Sequence, residues 1–295
     1  MIAISSLAKI NLYLHVIGKR DDGLHIIDSL TTFAGVGDTI SIEDCKSLSL
    51  HVDGPFANEL GPIGENLVIK ATRLLSKTMG ISSKVRFRLT KNLPVSAGLG
   101  GGSSNAAAAL QLLCRFWETI PPSAELFELA ECIGSDVPVC LLGQTSYMGG
   151  AGEKLTPAAP LPPGWLVLAN PRVQVSTGEI FNRFSLSASE PTRFINHPRD
   201  IFELADFLRK QSNDLTEAAI SYSPVIKTVI QILDSLDGSL LSRLCGSGST
   251  CFALFSNQSE AQKAVSRLKL SRPNWWICAS PIVNNWPEIG SRIHN

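Results

Sequence analysis

Neither sign of charge dominates this chain. In 295 residues, 26 Lys and Arg balance 26 Asp and Glu, for a formal net charge of zero. That balance gives no support for a nucleic acid or a membrane surface as partner. No run is long and apolar enough to span a bilayer. The apolar start is interrupted by Lys9 and Asn11, and no small-residue cleavage site follows, which argues against a signal peptide. The seven cysteines are odd in number and lack CxxC pairing, so they read as reduced thiols of a cytoplasmic protein. The five histidines (His15, His25, His51, His197 and His294) are scattered, without the spacing of a metal site, and none is expected. Internal repeats and low-complexity tracts are also missing. The length leaves room for a sizeable core and two domains.

What the chain does have is glycine followed by small residues: Pro94 to Ala109 reads PVSAGLGGGSSNAAAA. Just before it, Lys84 to Thr90 alternates, with Val85, Phe87 and Leu89 apolar and Lys84, Arg86, Arg88 and Thr90 polar. Period two predicts a strand with one dry face. Ser103, Ser104 and Asn105 are good helix N-caps ahead of an alanine run that continues into Leu110, Leu112 and Leu113. Gly98, Gly100, Gly101 and Gly102 let the backbone turn its N–H groups inward, and a helix start adds unpaired donors and a positive dipole end. Strand, glycine loop and helix together make a cradle for phosphate oxygens. A Walker A loop needs a lysine after its glycines, and none follows. GxGxxG is nearly met by Gly98, Gly100 and Ser103, but a dinucleotide-binding strand is buried on both faces and this one is not. The bland alternative is a turn that only lets the helix pack closely. Four glycines, two serines and an alanine helix favour anion binding.

Around this loop the chain reads as alternating segments. Ile2 to Val16 is an early strand interrupted by Lys9 and Asn11, and a lysine there either snorkels from an edge or is paired. GKRDDGLH, residues 18–25, is a charged turn, and Thr39 to Glu43 is a strand of a β-meander. A helix is predicted over Asn66 to Met79. Pro121-Pro122-Ser123 opens another, with Ser123 as N-cap and Gly134 as stop. Gly134-Ser135-Asp136-Val137-Pro138 follows, where an acid is ordinarily a turn residue. Here the apolar run Val137 to Leu142 favours a partly buried carboxylate, which needs a partner, most simply a lysine. TPAAPLPPG, residues 156–164, reads as an interdomain linker, giving domains 1–155 and 156–295. Beyond it come a strand from Trp165 to Asn170 and helices around 200–211 and 223–236. Strands near 240–244 and 251–255, a helix at 259–270 and a last strand near 275–283 complete an α+β order. Cys245 to Thr250 is a second glycine cluster, by itself a hairpin turn.

PVSAGLGGGSSNAA resembles the phosphate-binding motif of the GHMP kinases, the galactokinase, homoserine kinase and mevalonate kinase superfamily. Leu7-Ala8-Lys9-Ile10-Asn11-Leu12, Asp22-Gly23-Leu24-His25 and Gly134-Ser135-Asp136-Val137-Pro138 are similar to elements of its branch that phosphorylates a cytidine-diphosphate-linked methylerythritol. So are Asn213-Asp214-Leu215 and Gly246-Ser247-Gly248. The resemblance implies a two-domain α+β fold: a β-rich N-terminal domain with a left-handed βαβ crossover, a ferredoxin-like C-terminal domain, and the active site between them. It implies ATP as phosphoryl donor, with Mg²⁺ accompanying it, and the substrate's 2-hydroxyl as acceptor. Asp136 would be the base and Lys9 its partner. Pro94, Ala97, Gly98, Leu99, Gly100, Gly101, Gly102, Ser103 and Ser104 would hold the phosphates, and Asn66 and Lys91 would lie near adenine. Asn11, His25, Phe181, Gly246 and Gly248 would meet the acceptor substrate together with Asp136. A monomer or weak homodimer is expected.

The pattern departs from the family in three places. Leu24 stands where tyrosine is usual, Thr31 at the position aligned with a stacking phenylalanine, and Ser96 where glycine is usual. Two alternatives stay open on the sequence: another small-molecule GHMP kinase, of homoserine or mevalonate type, and a non-catalytic nucleotide-binding relative.

Overall fold

The computed structural model describes residues 2–185 and 189–286. Two long strands open the chain, β1 (Ile2–Lys19) and β2 (His25–Asp44). Their antiparallel pairing is interrupted by irregularities at Leu7/Ala8, Asn11/Tyr13 and Val16/Gly18. Each such shift turns the following side chains to a new face, and the first two bracket Lys9 and Asn11. The turn between the strands closes through Arg20 and Leu24, with Gly23 at φ 87°.

The order continues with β3 (Ser49–Asp53), α1 (Leu67–Met79), β4 (Val85–Thr90), α2 (Gly101–Phe116), α3 (Ser123–Ile133), α4 (Val137–Leu142), β5 (Ser146–Gly149) and β6 (Lys154–Pro157). β3 and β4 are parallel, with α1 as crossover. α1 is capped by the Asn66 side chain, which accepts from the Val68 N–H, and stopped by Gly80 at φ 65°. The second half holds β7 (Trp165–Asn170), α5 (Thr177–Arg183), α6 (Ile201–Arg209), α7 (Thr216–Tyr222), α8 (Val225–Asp234), β8 (Leu241–Leu244), β9 (Cys251–Phe255), α9 (Gln258–Ser271) and β10 (Trp276–Val283).

β2 unites the two halves. Its end pairs with β4 over Thr39–Asp44, its middle with β10 at Phe33 and Ala34, and its start with β5 at Ser29–Thr31. The sheet therefore runs β3-β4-β2-β10-β7-β9-β8. One apolar cluster spans both halves: Ala8, Ile10 and Leu12 of β1 join Leu166 and Leu168 of β7, Phe252 and Leu254 of β9, and Leu204 and Leu208 of α6. That shared core sets the far end of the chain against β1, on which Lys9 and Asn11 sit.

Several local expectations change. α2 begins at Gly101 behind an αL Gly100, so Ser103 and Ser104 lie in its first turn and cap nothing. Likewise α3 is preceded by Pro122, and Ser123 is its first residue. The strand expected over Thr39 to Glu43 is the end of a 20-residue one. α5 and α7 were not foreseen. In the stretch expected as linker, Lys154–Pro157 is already β6 and Leu161 is buried.

Candidate active site

A cleft of about 1130 Å³ opens between the glycine loop, the middle of β1, the start of β2 and α5. Its wall includes Pro94, Ala97, Gly98, Leu99, Gly100, Gly101, Gly102 and Ser103 from the loop, together with Lys9, Asn11, His25, Asn66, Lys91, Asp136, Phe181 and Gly246. Two residues expected in the site are not in that wall. Ser104 is fully buried, its hydroxyl donating to the Leu7 carbonyl at 2.6 Å and its N–H bonded to Gly100 at 2.8 Å. Gly248 stands behind the loop instead: a Cβ on Gly98 would come within 2.9 Å of its backbone.

The loop gets its shape from glycine. Gly98 (φ 75°) and Gly100 (φ 60°) both adopt the left-handed backbone that side chains disfavour. A Cβ on Gly98 would also run into the Cys245 carbonyl oxygen. Ser96, at φ 52°, shows that the residue replacing a usual glycine still takes a positive φ. α2 starts inside the cleft, and its first N–H groups have no intrahelical acceptor, so they present donors and a positive dipole end there.

Against this loop lies the lysine–carboxylate pair. Lys9 Nζ is 2.9 Å from Asp136 Oδ2 and donates to Asn11 Oδ1 at 2.8 Å. The Lys9 side chain is 4 % exposed and that of Asp136 34 %, so the ammonium is sequestered while the carboxylate opens to the cleft. Burial, the largest single influence, pushes the Lys9 ammonium below its ordinary value, but the Asp136 carboxylate together with the Cys245 and Cys140 sulfurs outweighs it and leaves the pKa raised. The Lys9 backbone N–H bonds to the Leu99 carbonyl at 2.9 Å. A Cβ on Gly100 would lie 3.1 Å from Lys9 Cε and 3.8 Å from Asp136 Oδ2. The Lys9–Asp136 pair thus lies beside the loop, where only a glycine leaves it room. Asp136 reaches this point because it precedes α4 rather than ending α3.

Beneath the loop, Lys91 is paired with Asp38, both buried, and Asp38 also accepts from the N–H groups of Asn92 and Leu93 at 2.7 and 2.9 Å. The Lys91 ammonium would be 3.1 Å from a Cβ on Gly101, which puts it at the start of α2. Asn66 faces the same end of the cleft, its Oδ1 occupied by the cap of α1.

At the other end His25 stacks on Phe181, with centroids 4.9 Å apart at 27°, and Phe184 meets it edge-on at 6.2 Å. Burial, with Lys19 nearby, lowers the His25 pKa and favours the neutral ring. Leu24 is exposed beside it, whereas Thr31 is fully buried, its hydroxyl donating to Met148 Sδ at 3.0 Å. Neither supplies an aromatic face.

Sequence reasoning missed Asp38, Asn105, Thr177 and Ser247. Asp38, in GVGDTI, looks like any turn acid. Asn105 reads as a cap, yet it is buried in the cleft wall with Ser6 donating to its Oδ1 at 2.6 Å. Thr177 and Ser247 share a 2.9 Å hydroxyl–hydroxyl bond that ties α5 to the second glycine loop. A serine or threonine beside glycine was the available signal for the last two. Among the described residues no cluster of three His, Cys, Asp or Glu suits a metal ion.

Two family descriptions match the chain: the GHMP kinases N terminal domain over residues 66–144 and the GHMP kinases C terminal over residues 195–272. A 4-diphosphocytidyl-2-C-methyl-D-erythritol kinase of Paramagnetospirillum magneticum is 46 % identical over 284 residues, covering 96 % of this chain and 99 % of its own. The kinase of the same description from Rhodospirillum rubrum is 41 % identical, over 97 % of this chain and 94 % of its own. Among solved structures, a 4-(cytidine 5'-diphospho)-2C-methyl-D-erythritol kinase superposes with TM-score 0.76 at 31 % identity, over 95 % of this chain and 99 % of its own. A mevalonate kinase superposes with TM-score 0.68 at 12 % identity, over 97 % of this chain and 100 % of its own, a likeness of fold alone.

Proposed function

Since the chain belongs to the GHMP kinases, in their 4-diphosphocytidyl-2-C-methyl-D-erythritol kinase branch, we propose that Lys9 and Asp136 carry its phosphoryl transfer. The enzyme phosphorylates the 2-hydroxyl of 4-diphosphocytidyl-2-C-methyl-D-erythritol at the expense of ATP, a step of the methylerythritol phosphate route to isoprenoids. In this reading the Asp136 carboxylate takes the hydroxyl proton. The oxygen bonds to the γ-phosphorus as the bridge to the β-phosphate breaks, and ADP leaves. Lys9 orients the carboxylate as its counter-ion, and Asn11 holds the hydroxyl. The amides of Gly98 to Ser103 and the start of α2 take the phosphates, stabilising charge by preorganised donors. Asn66 and Lys91 face the adenine end. The acceptor's cytosine goes to His25 and Phe181, with Gly246 at the polar middle.

Mg²⁺ would come in on the triphosphate and neutralise its charge, with the Ser103 hydroxyl on the cleft wall available to it or to a phosphate. The Pro-rich stretch after 155 is proposed as the domain boundary. A monomer or weak homodimer in the cytoplasm is proposed alongside it, in keeping with seven unpaired thiols.

The observation that carries this reading is the 2.9 Å Lys9–Asp136 pair beside the glycine loop. A pure binder has no use for a proton acceptor there. The test incubates the enzyme with ATP, Mg²⁺ and the cytidine substrate and follows ADP and phosphorus NMR. One new phosphomonoester with the diphosphate bridge intact is expected. An unchanged substrate, or ADP with free phosphate only, contradicts it.

A further inference from the structure

The segment 211–215 lies outside the cleft wall except for Leu215, yet it is stitched to β1 just beyond Asn11. Leu14 donates its N–H to the Ser212 carbonyl at 3.0 Å, and the Asp214 N–H returns to the Leu14 carbonyl at 2.8 Å. The Val16 N–H goes to Asp214 Oδ2 at 2.9 Å. Arg243, buried without a carboxylate partner among the described residues, clamps the same place. Its guanidinium donates to the carbonyls of Leu12 (2.8 Å), Leu208 and Gln211 (both 2.7 Å).

From this anchored segment Asn213 reaches across to the second glycine loop. Its Nδ2 donates to the carbonyls of Leu244 at 2.9 Å and Gly246 at 2.7 Å, while its Oδ1 accepts from the Leu215 N–H at 3.0 Å. The side chain is buried, so each of these bonds is costly to leave unmade. Only a carboxamide offers two donors and an acceptor in this arrangement. Aspartate would set a carboxylate against two carbonyls, and serine has one donor. The loop so held touches the catalytic parts directly. A Cβ on Gly246 would lie 3.0 Å from the Gly98 carbonyl and 3.3 Å from Asn11 Oδ1. Thr250 donates its N–H to the Ala97 carbonyl at 3.1 Å. Asn11 Oδ1 is in turn the acceptor of the Lys9 ammonium.

We propose that Asn213 is a positioning residue for phosphoryl transfer: through Gly246 its amide fixes where Asn11, and with it the Lys9 ammonium, stands relative to the phosphate loop. The inference rests on reading the cleft as the site of transfer. Misplacement of reacting groups by about 1 Å can cost around a hundredfold in rate.

The test compares Asn213→Ser with Asp214→Ala, which removes a neighbouring tie of the same segment to β1 and leaves the Asn213 amide in place. Both are assayed where circular dichroism shows native protein. For Asn213→Ser, kcat falls about tenfold or more with the acceptor KM within about threefold. For Asp214→Ala, kcat stays within about threefold despite a lowered Tm. Unchanged kcat in Asn213→Ser, or an equal loss in Asp214→Ala, overturns the proposal. If Asn213→Ser does not fold, the isosteric Asn213→Asp takes its place, and failure of that variant to fold also overturns it, since the amide is then scaffold alone. Wild-type enzyme that fails to turn over the cytidine substrate refutes the assignment of the cleft instead.

Discussion

Replacing Asp136 with asparagine keeps the shape of the side chain and removes the proposed proton acceptor. General base catalysis contributes about 10²–10⁴ in rate, equivalent to about 2.7–5.4 kcal/mol at about 1.36 kcal/mol per decade, so kcat of Asp136→Asn falls by that factor. In the proposed reading the nucleotide is held mainly by backbone amides around Gly98 to Ser103, which the substitution leaves in place, so the KM for ATP stays near wild type. Stability drops as well, because the ammonium of Lys9, 4 % exposed, loses its 2.9 Å counter-ion. A fully buried pair costs about 3–5 kcal/mol to break. Asp136 is open over a third of its side chain and Asn11 still accepts from Lys9. The loss is therefore expected nearer 1–3 kcal/mol, the scale of a charged hydrogen bond. The assay is coupled ADP release at saturating acceptor, with thermal unfolding and nucleotide titration on the same preparation. A folded variant that binds ATP normally and turns over within about threefold of wild type would remove Asp136 from the role of base.

Gly98→Ala forces a Cβ into the Cys245 carbonyl and 2.9 Å from Gly248 at φ 75°. The αL penalty alone is about 1–2 kcal/mol, so a lower Tm and a raised KM for ATP are expected, and unchanged values would mean that the two loops part easily. Phe181→Ala removes the ring stacked on His25. By analogy with base stacking, at about 1–3 kcal/mol per base, it raises the acceptor KM by about 5- to 150-fold and spares that of ATP. An acceptor KM equal to that of wild type would place the cytosine elsewhere. His25 has a lowered pKa, chiefly from burial and then from Lys19. Between its folded midpoint and 6.5 the unfolded chain binds more protons, so the stability His25 contributes is present above about pH 6.5 and lost as pH falls through the folded value. A carbon-detected titration of its ring should show a midpoint below the ordinary value, and one at or above it contradicts the burial seen here.

The parts of the site legible from residue order were those whose chemistry is unusual in place. Lys9 inside an apolar strand and Asp136 before an apolar run each called for a partner, and they are each other's. The glycine loop was legible because strand alternation and an alanine helix bracket it. The start of α2 was misplaced because Gly100 ends the loop in an αL turn, a job the serines were expected to do by side-chain capping. β2 was seen only at its end: in DSLTTFAG, Ser29, Thr31 and Thr32 are buried by tertiary contacts, which erases the alternation a half-buried strand would show. Asp38 and Arg243, and the tie that Asn213 makes to the second glycine loop, stayed hidden for a related reason. Each involves a polar residue buried by elements 30 or more positions away, and nothing local distinguishes it from a surface residue.

The most direct test of the central claim, that this cleft readies one cytidine-linked alcohol for attack on ATP, is kcat/KM measured side by side for 4-diphosphocytidyl-2-C-methyl-D-erythritol, homoserine and mevalonate. The Lys9–Asp136 pair beside the phosphate loop, with His25 and Phe181 at the far end, predicts efficient turnover of the first and little above background for the others. Comparable turnover of homoserine or mevalonate would contradict it.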